Sequence, residues 1–328
     1  MKNLITDIPG LRVGHAQDEK LGSGVTALIF DAPAIASIAV HGGAPGLRDT
    51  GLLEPEMIVE RIDALVLSGG SVYGLDSMGG VVAFLRENGR GFPVRDVNVP
   101  IAPGAVLFDL LNGGDKNFGA EPLYWRLGRH AAAAAATEFA LGSVGAGYGA
   151  TTANLKGGLG SASDATSNGF TVGALVAVNA VGRATIGDGP HFWAAPYEKN
   201  GEFAGLGWPS PWPADALDFH IKSQAAENTT IAIVATDAAL TKAETKRLAI
   251  IAHDGMAHAL RPSHAAMDGD TVFAAATGAA DKIPSLSDKI EVGMRAADCL
   301  ARAIARAVFE ATSLPFSGAP PSWRNRFC

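Results

Sequence analysis

Asn228-Thr229-Thr230 heads a β-like run, Ile231-Ala232-Ile233-Val234-Ala235-Thr236, and further along the chain two aspartates sit one residue apart in Met267-Asp268-Gly269-Asp270-Thr271. A hydroxyl residue at the head of a strand, directly after a small polar residue, suits an enzyme that cuts its own chain to free a nucleophile. Cleavage between Asn228 and Thr229 leaves a threonine that carries its own base. An α-amine with a pKa near ~8 is partly unprotonated at neutral pH and takes the proton of the neighbouring hydroxyl. No histidine is then required. Asp268 and Asp270 stand at i and i+2 where a strand begins, so both side chains project to one side, where they can orient an amine and a hydroxyl. Spacing alone is met as well by a polar strand edge with a glycine turn. A calcium loop is disfavoured because no further Asp, Glu or Asn follows at the required spacing, and no metal or cofactor is expected.

Three other patterns are set aside. Gly145-Ala146-Gly147-Tyr148-Gly149-Ala150 fits a dinucleotide-binding pattern, but residues 151 to 163 are too glycine-rich for the helix that would hold a pyrophosphate. Ser71 lies between a strand and a helix like a nucleophile elbow, yet Gly-Gly-Ser-Val-Tyr lacks that motif's second glycine, so a backbone turn is preferred. His253 and His258 do not share one helix face as a zinc pair would, and the other six histidines form no cluster in the sequence.

The elements that must position these residues are read from periodicity and punctuation. Val25 to Phe30 and Ile35 to Val40, separated by Asp31-Ala32-Pro33-Ala34, read as two strands and a turn. Ala64 to Leu67 and residues 171 to 181 read as buried strands, and 271 to 276 as another. Val72 to Asn88 reads as a helix closed by Gly89, and Ala131 to Leu141 as a second, alanine-rich one. Glycines between 142 and 163 predict loops and tight turns, and 182 to 228 is a long irregular segment suited to a processed surface loop. Thr241-Lys242-Ala243-Glu244 is a capping box opening a helix over about 242 to 259. Ile290, Met294, Ala297, Leu300, Ala301, Ile304 and Val308 mark one face of a final helix.

Composition bounds the function. The chain has 328 residues and no polar linker, which favours one domain over 1–328. Forty glycines and 48% apolar against 18% charged residues describe a tightly packed enzyme rather than a flexible adaptor. A net charge of −7 without a Lys/Arg cluster argues against nucleic acid and anionic membranes as partners. The amino terminus lacks a signal-like apolar stretch, which places the chain in the cytoplasm. Cys299 reads as a buried thiol and Cys328 as a frayed terminus.

The two segments around Thr229 and Asp268 resemble the processing site and acidic pair of the 6-aminohexanoate-oligomer (nylon oligomer) hydrolases. Those enzymes share an N-terminal-nucleophile peptidase family with the L-aminopeptidase/D-amidase-esterase and the β-aminopeptidases. Further similar stretches are Gly42-Gly43-Ala44-Pro45-Gly46, Ser68-Gly69-Gly70-Ser71, Phe108-Asp109-Leu110, Lys156-Gly157-Gly158-Leu159-Gly160-Ser161 and Val178-Asn179-Ala180-Val181-Gly182, so the resemblance covers nearly the whole chain. It implies a four-layer α/β/β/α sandwich, autocleaved into fragments 1–228 and 229–328, with Thr229 as nucleophile. It also implies Asn179 as oxyanion donor, Asp268 and Asp270 as the acidic pair, and a homo-oligomer, a tetramer of cleaved pairs. The implied substrate is a short peptide or peptide-like amide. The nylon hydrolases carry a tyrosine where this chain has Phe108 and a lysine where it has Asn154. Lys156 is the nearby candidate to replace that ammonium, although a solvated loop lysine is the preferred reading. The alternative from another class is a non-catalytic or nucleotide-binding α/β protein built on the glycine loops.

Overall fold

The computed structural model describes residues 1–121, 123–222 and 228–328. Residues 223–227, the end of the irregular segment before the proposed cut, lie outside the described residues. In chain order the elements are β1 (Leu11–Asp18), β2 (Ser23–Val40), β3 (Gly46–Arg48), β4 (Arg61–Ser68), α1 (Ser77–Glu87), β5 (Phe92–Val94), β6 (Val97–Val99), β7 (Gly104–Val106) and α2 (Leu123–Ala133). They continue with β8 (Gly158–Ala165), β9 (Thr171–Asn179), β10 (Thr229–Thr236), α3 (Lys242–Ala259), β11 (Thr271–Ala276), α4 (Leu286–Phe309) and α5 (Trp323–Phe327).

The long strand β2 organises the layers. One edge carries β4, from Val25↔Ser68 to Ile35↔Arg61. The other edge carries β1 along residues 23–30 and then β11 along residues 35–40. The sheet therefore divides about β2 into one layer of β1, β2, β4, β7 and β3 and another of β2, β11, β10, β9 and β8. Alternation of side chains assigns the faces. Leu65 and Leu67 of β4 meet Leu175, Ile231, Ile233 and Phe273 in the core between the two layers. Ala64 and Val66 face Met78, Val81, Tyr124 and Leu127 of α1 and α2. Val172, Ala174, Val176, Ala232 and Val234 face Leu248, Met256, Leu300 and Ile304 of α3 and α4. Strands buried on both faces read as continuous apolar runs, as β9 and β10 do. The result is an α/β/β/α sandwich in a single domain, as expected. Burying each of its Val, Leu or Ile side chains contributes about 1.5–3 kcal/mol.

Four local expectations are corrected. Val25–Phe30 and Ile35–Val40 are halves of one strand, because Asp31–Pro33 form an irregularity in the β4 pairing rather than a reversal. Residues 158–163 are strand, not loop: glycine there lets α4 lie against the β8 backbone. A Cβ on Gly160 would stand 1.9 Å from the Ala303 carbonyl oxygen, and one on Gly158 2.3 Å from that of Ala307. The alanine-rich helix ends at Ala133, because Ala136 leaves to exchange backbone hydrogen bonds with Val13, and this pairing overrides helix propensity. Ile290 and Met294 are exposed, while Val292, Gly293 and Ala296 take the buried face of α4. The capping box at Thr241 and Glu244 and the bounds of α3 are as expected. No described helix is long and apolar enough to cross a membrane.

Gly160→Ala overpacks the α4 contact and should lower stability by about 1–3 kcal/mol in urea denaturation. Gly51→Ala, which meets no atom within 4 Å, should change it by less than about 0.5 kcal/mol.

Candidate active site

Strand register brings the predicted residues together. β10 runs antiparallel to β9 with Thr229 paired to Asn179, and directly opposed residues project from the same face. β10 runs parallel to β11 with Ile231 beside Thr271, so two residues earlier Thr229 stands beside Gly269. Contact bears this out: a Cβ on Gly269 would lie 2.6 Å from Thr229 Oγ1. Thr229 is 5% exposed, and its hydroxyl donates to the carbonyl oxygen of Asn228. Asn228 is buried, and neither polar atom of its side chain has a hydrogen-bond partner among the described residues.

The two aspartates have different environments. Asp270 Oδ1 accepts from Thr230 N at 2.9 Å, and Oδ2 accepts from both His264 N and His264 Nδ1 at 2.9 Å. Burial alone would raise its pKa, but the His264 and Thr230 donors outweigh it and hold Asp270 below the usual carboxylate value. Among the described residues, the Asp268 carboxyl accepts from the Gly269 amide, at 3.1 Å. Burial, and next the charge of Asp270, push its pKa up, so the pair retains one proton, held on Asp268. The acidic loop is seated on the glycine segment that follows β2. His41 N and Gly42 N donate to Asp270 O, and Ala44 N donates to Asp268 O. A Cβ on Gly42 would stand 2.3 Å from Asp270 N, which explains glycine there.

Asn179 is fully buried. Its Oδ1 accepts from Thr151 N at 3.0 Å and Lys222 Nζ at 2.8 Å, and its Nδ2 donates to Phe108 O at 2.8 Å. Lys222 was missed in the sequence because a lone lysine in an irregular segment carries no pattern. Lys156 is not a solvated loop lysine. It is fully buried, and Nζ donates to the carbonyls of Gly147, Ala150 and Gly157 at 2.8–2.9 Å. Burial pushes its pKa down to about 7. Its bond to Ala150 holds the peptide whose next amide, Thr151 N–H, grips Asn179. Asn154 is not brought to Thr229; its Nδ2 donates to Thr185 Oγ1 at 3.2 Å.

A cleft of about 240 Å³ opens over Thr229, lined by Ala44, Pro45, Val72, Leu75, Phe108 and Met267 among others. No charged side chain is among its described lining residues. Phe108 also borders a neighbouring cleft of about 160 Å³ that contains Asp109, Asn179 and Lys222. Ser71 lines the first cleft at a positive φ of 51°, after Gly70 at 85°. The glycines of 145–149 approach the protein's own atoms: Cβ atoms there would meet Thr26, Leu159 and Gly22 within 2.3 Å. β8 rather than a helix follows this loop, so the dinucleotide reading fails. The expectation that the histidines form no cluster is overturned, because His41, His253 and His264 meet behind Asp270. Sequence spacing could not show this, since the three come from distant parts of the chain.

Residues 3–319 match the family model of Peptidase family S58. The chain is 42% identical to an uncharacterized aminopeptidase of Mycobacterium bovis, over 99% of this chain and 98% of the relative. It is 27% identical to the 6-aminohexanoate-oligomer endohydrolase of a Kocuria species, over 84% of this chain and 75% of the relative. The solved structure of the L-aminopeptidase D-Ala-esterase/amidase from Ochrobactrum anthropi, described as a variant of the Ntn hydrolase fold, superposes with a TM-score of 0.72. That match is 20% identical and covers 98% of this chain and 89% of the other, so it shows a shared fold.

Two outcomes follow from this geometry. Gly269→Ala forces Thr229 Oγ1 aside and should lower kcat/KM by roughly 10²-fold. Because the folded pKa of Asp268 is raised, its contribution to stability is present below its unfolded value of 3.8 and is lost as pH rises toward the folded one. Asp268→Asn should therefore gain stability relative to wild type as pH rises from about 4 to about 8 in thermal melts; parallel curves would exclude the retained proton.

Proposed function

The chain belongs to peptidase family S58 and is a hydrolase of amide bonds, and we propose that Thr229, freed by autocleavage, is its nucleophile. The observation that carries this reading is the Thr229 hydroxyl set against the Asn228 carbonyl at the floor of a cleft. In the intact chain Oγ1 attacks the Asn228 carbonyl carbon, the C–N bond breaks, and the acyl group passes from nitrogen to oxygen. Water then hydrolyses the ester, leaving a carboxylate on Asn228 and an α-amine on Thr229. Release also frees the Asn228 side chain, which has no hydrogen-bond partner among the described residues.

In turnover the α-amine takes the hydroxyl proton as Oγ1 attacks the substrate carbonyl, and the resulting ammonium gives that proton to the departing amine. Water, with its proton passing to the α-amine, releases the acyl group. Asn179 serves as the amide donor to the developing oxyanion, and the Lys222 ammonium on its Oδ1 strengthens that donor. Asp268 and Asp270, one negative charge between them, orient the α-amine. Phe108 supplies its carbonyl to hold Asn179 and its ring to wall the cleft, with no hydroxyl to contribute. The uncharged lining suits a small, apolar acyl group, as in short peptides, peptide-like amides or an aminohexanoate oligomer.

We also propose a homo-oligomer, a tetramer of cleaved pairs, supported by Leu286, Ile290 and Met294, which form an exposed apolar stripe at 75%, 66% and 49%. Light scattering coupled to size exclusion should give a multiple of 33.6 kDa, and a constant single-unit mass would refute it.

Thr229→Ala should abolish hydrolysis of aminoacyl anilides and of an aminohexanoate oligomer, whereas Ser71→Ala should keep activity within about tenfold of wild type. The reverse pattern would transfer the nucleophile to Ser71.

A further inference from the structure

Behind the acidic pair, three histidines from separate parts of the chain meet: His41 after β2, His253 in α3, and His264 in the loop before Asp268. His41 stacks on His253 with ring centroids 3.7 Å apart and planes 14° apart. His264 stands edge-on to both, at 5.2 Å and 5.0 Å. One ligand-type atom from each lies within 4.8 Å of the others.

Hydrogen bonding assigns the lone pairs. His253 Nε2 lies 3.0 Å from Ala39 O. A carbonyl oxygen only accepts, so Nε2 carries the proton and Nδ1 keeps a bare lone pair. That Nδ1 is buried and has no hydrogen-bond partner among the described residues. His264 Nδ1 lies 2.9 Å from Asp270 Oδ2, and an ionised carboxylate likewise only accepts. In a neutral His264 ring the lone pair is therefore on Nε2. Both rings are held by an outer acceptor that directs the other nitrogen away from it, as in the carboxylate–histidine–metal and carbonyl–histidine–metal arrangements.

We propose that His41, His253 and His264 form a site for one divalent late transition-metal ion of the zinc class. Imidazole nitrogens select such ions over magnesium or calcium. Metal–nitrogen bonds of about 2.0–2.1 Å place tetrahedral ligands roughly 3.3 Å apart. Nearly parallel rings do not aim two lone pairs at one point, so His41, the exposed member, must turn out of its stack to close the site. Water completes the coordination on that exposed side. The ion stays out of the Thr229 cleft, whose described lining contains none of the three histidines. It reaches the cleft indirectly: coordination at His264 Nε2 commits Nδ1–H to Asp270, which in turn holds Thr230 N.

Zinc titration of the untagged, metal-stripped full-length protein by calorimetry, with cobalt(II) absorption as a second readout, tests this assignment. The wild type should take up one ion per chain and give the intense bands of four-coordinate cobalt. His41→Ala, at an exposed position, and His253→Phe, which preserves the ring stack, should each weaken binding by about tenfold or more with unchanged circular dichroism. Absence of stoichiometric uptake by the wild type, or undiminished binding by both variants, would overturn the proposal.

Discussion

A buried carboxylate with all its donors in place, Asp270, is the constraint around which this site is arranged. Three N–H groups converge on its two oxygens at 2.9 Å, and two more backbone amides take its carbonyl. An unpaired buried carboxylate would cost several kcal/mol, so these donors decide that Asp270 remains charged. Its charge then raises the barrier to ionising buried Asp268, which keeps its proton. One negative charge is thus fixed beside the head of β10, where cleavage would create a positive α-ammonium.

Sheet register converts that local electrostatics into a site. β10 is flanked by β11 in parallel and β9 in antiparallel sense, which puts the start of two strands and the end of a third at one place. A slip of one residue in β10 would turn Thr229 away from Asn179 and Gly269 to the other face. Packing on both faces prevents such a slip, because every residue of β10 is buried and alternate side chains fill two different cores, one against α3 and α4 and one against the other sheet layer. Glycines at 42, 158 and 160 mark places where backbone approaches too closely for any Cβ, and Gly269 marks where the Thr229 side chain does.

Much of this was legible in the sequence where local chemistry and tertiary demand agree. Thr241 and Glu244 announce α3, β11 occupies the segment read for it, and residues 228–229 and 268–270 stand together through the register of adjacent strands. Legibility failed where long-range contact overrides local preference. Glycine in β8 looks like loop until α4 is laid on it. Alanines 134–136 favour helix until Val13 pairs with the last of them. Lys156 reads as a solvated lysine because the three carbonyls that bury it belong to a glycine loop with no recognisable pattern. The histidine cluster, and Lys222 on Asn179, depend on contacts between residues far apart in the chain.

The most direct test of Thr229 as a self-freed nucleophile is intact-mass and N-terminal sequencing of purified protein quenched during turnover of an ester or amide substrate. The account requires two chains, 1–228 and 229–328, the second beginning Thr-Thr-Ile and carrying the substrate's acyl mass on its first residue. A single uncut chain that turns over at full rate, or an acyl group found elsewhere, would contradict it.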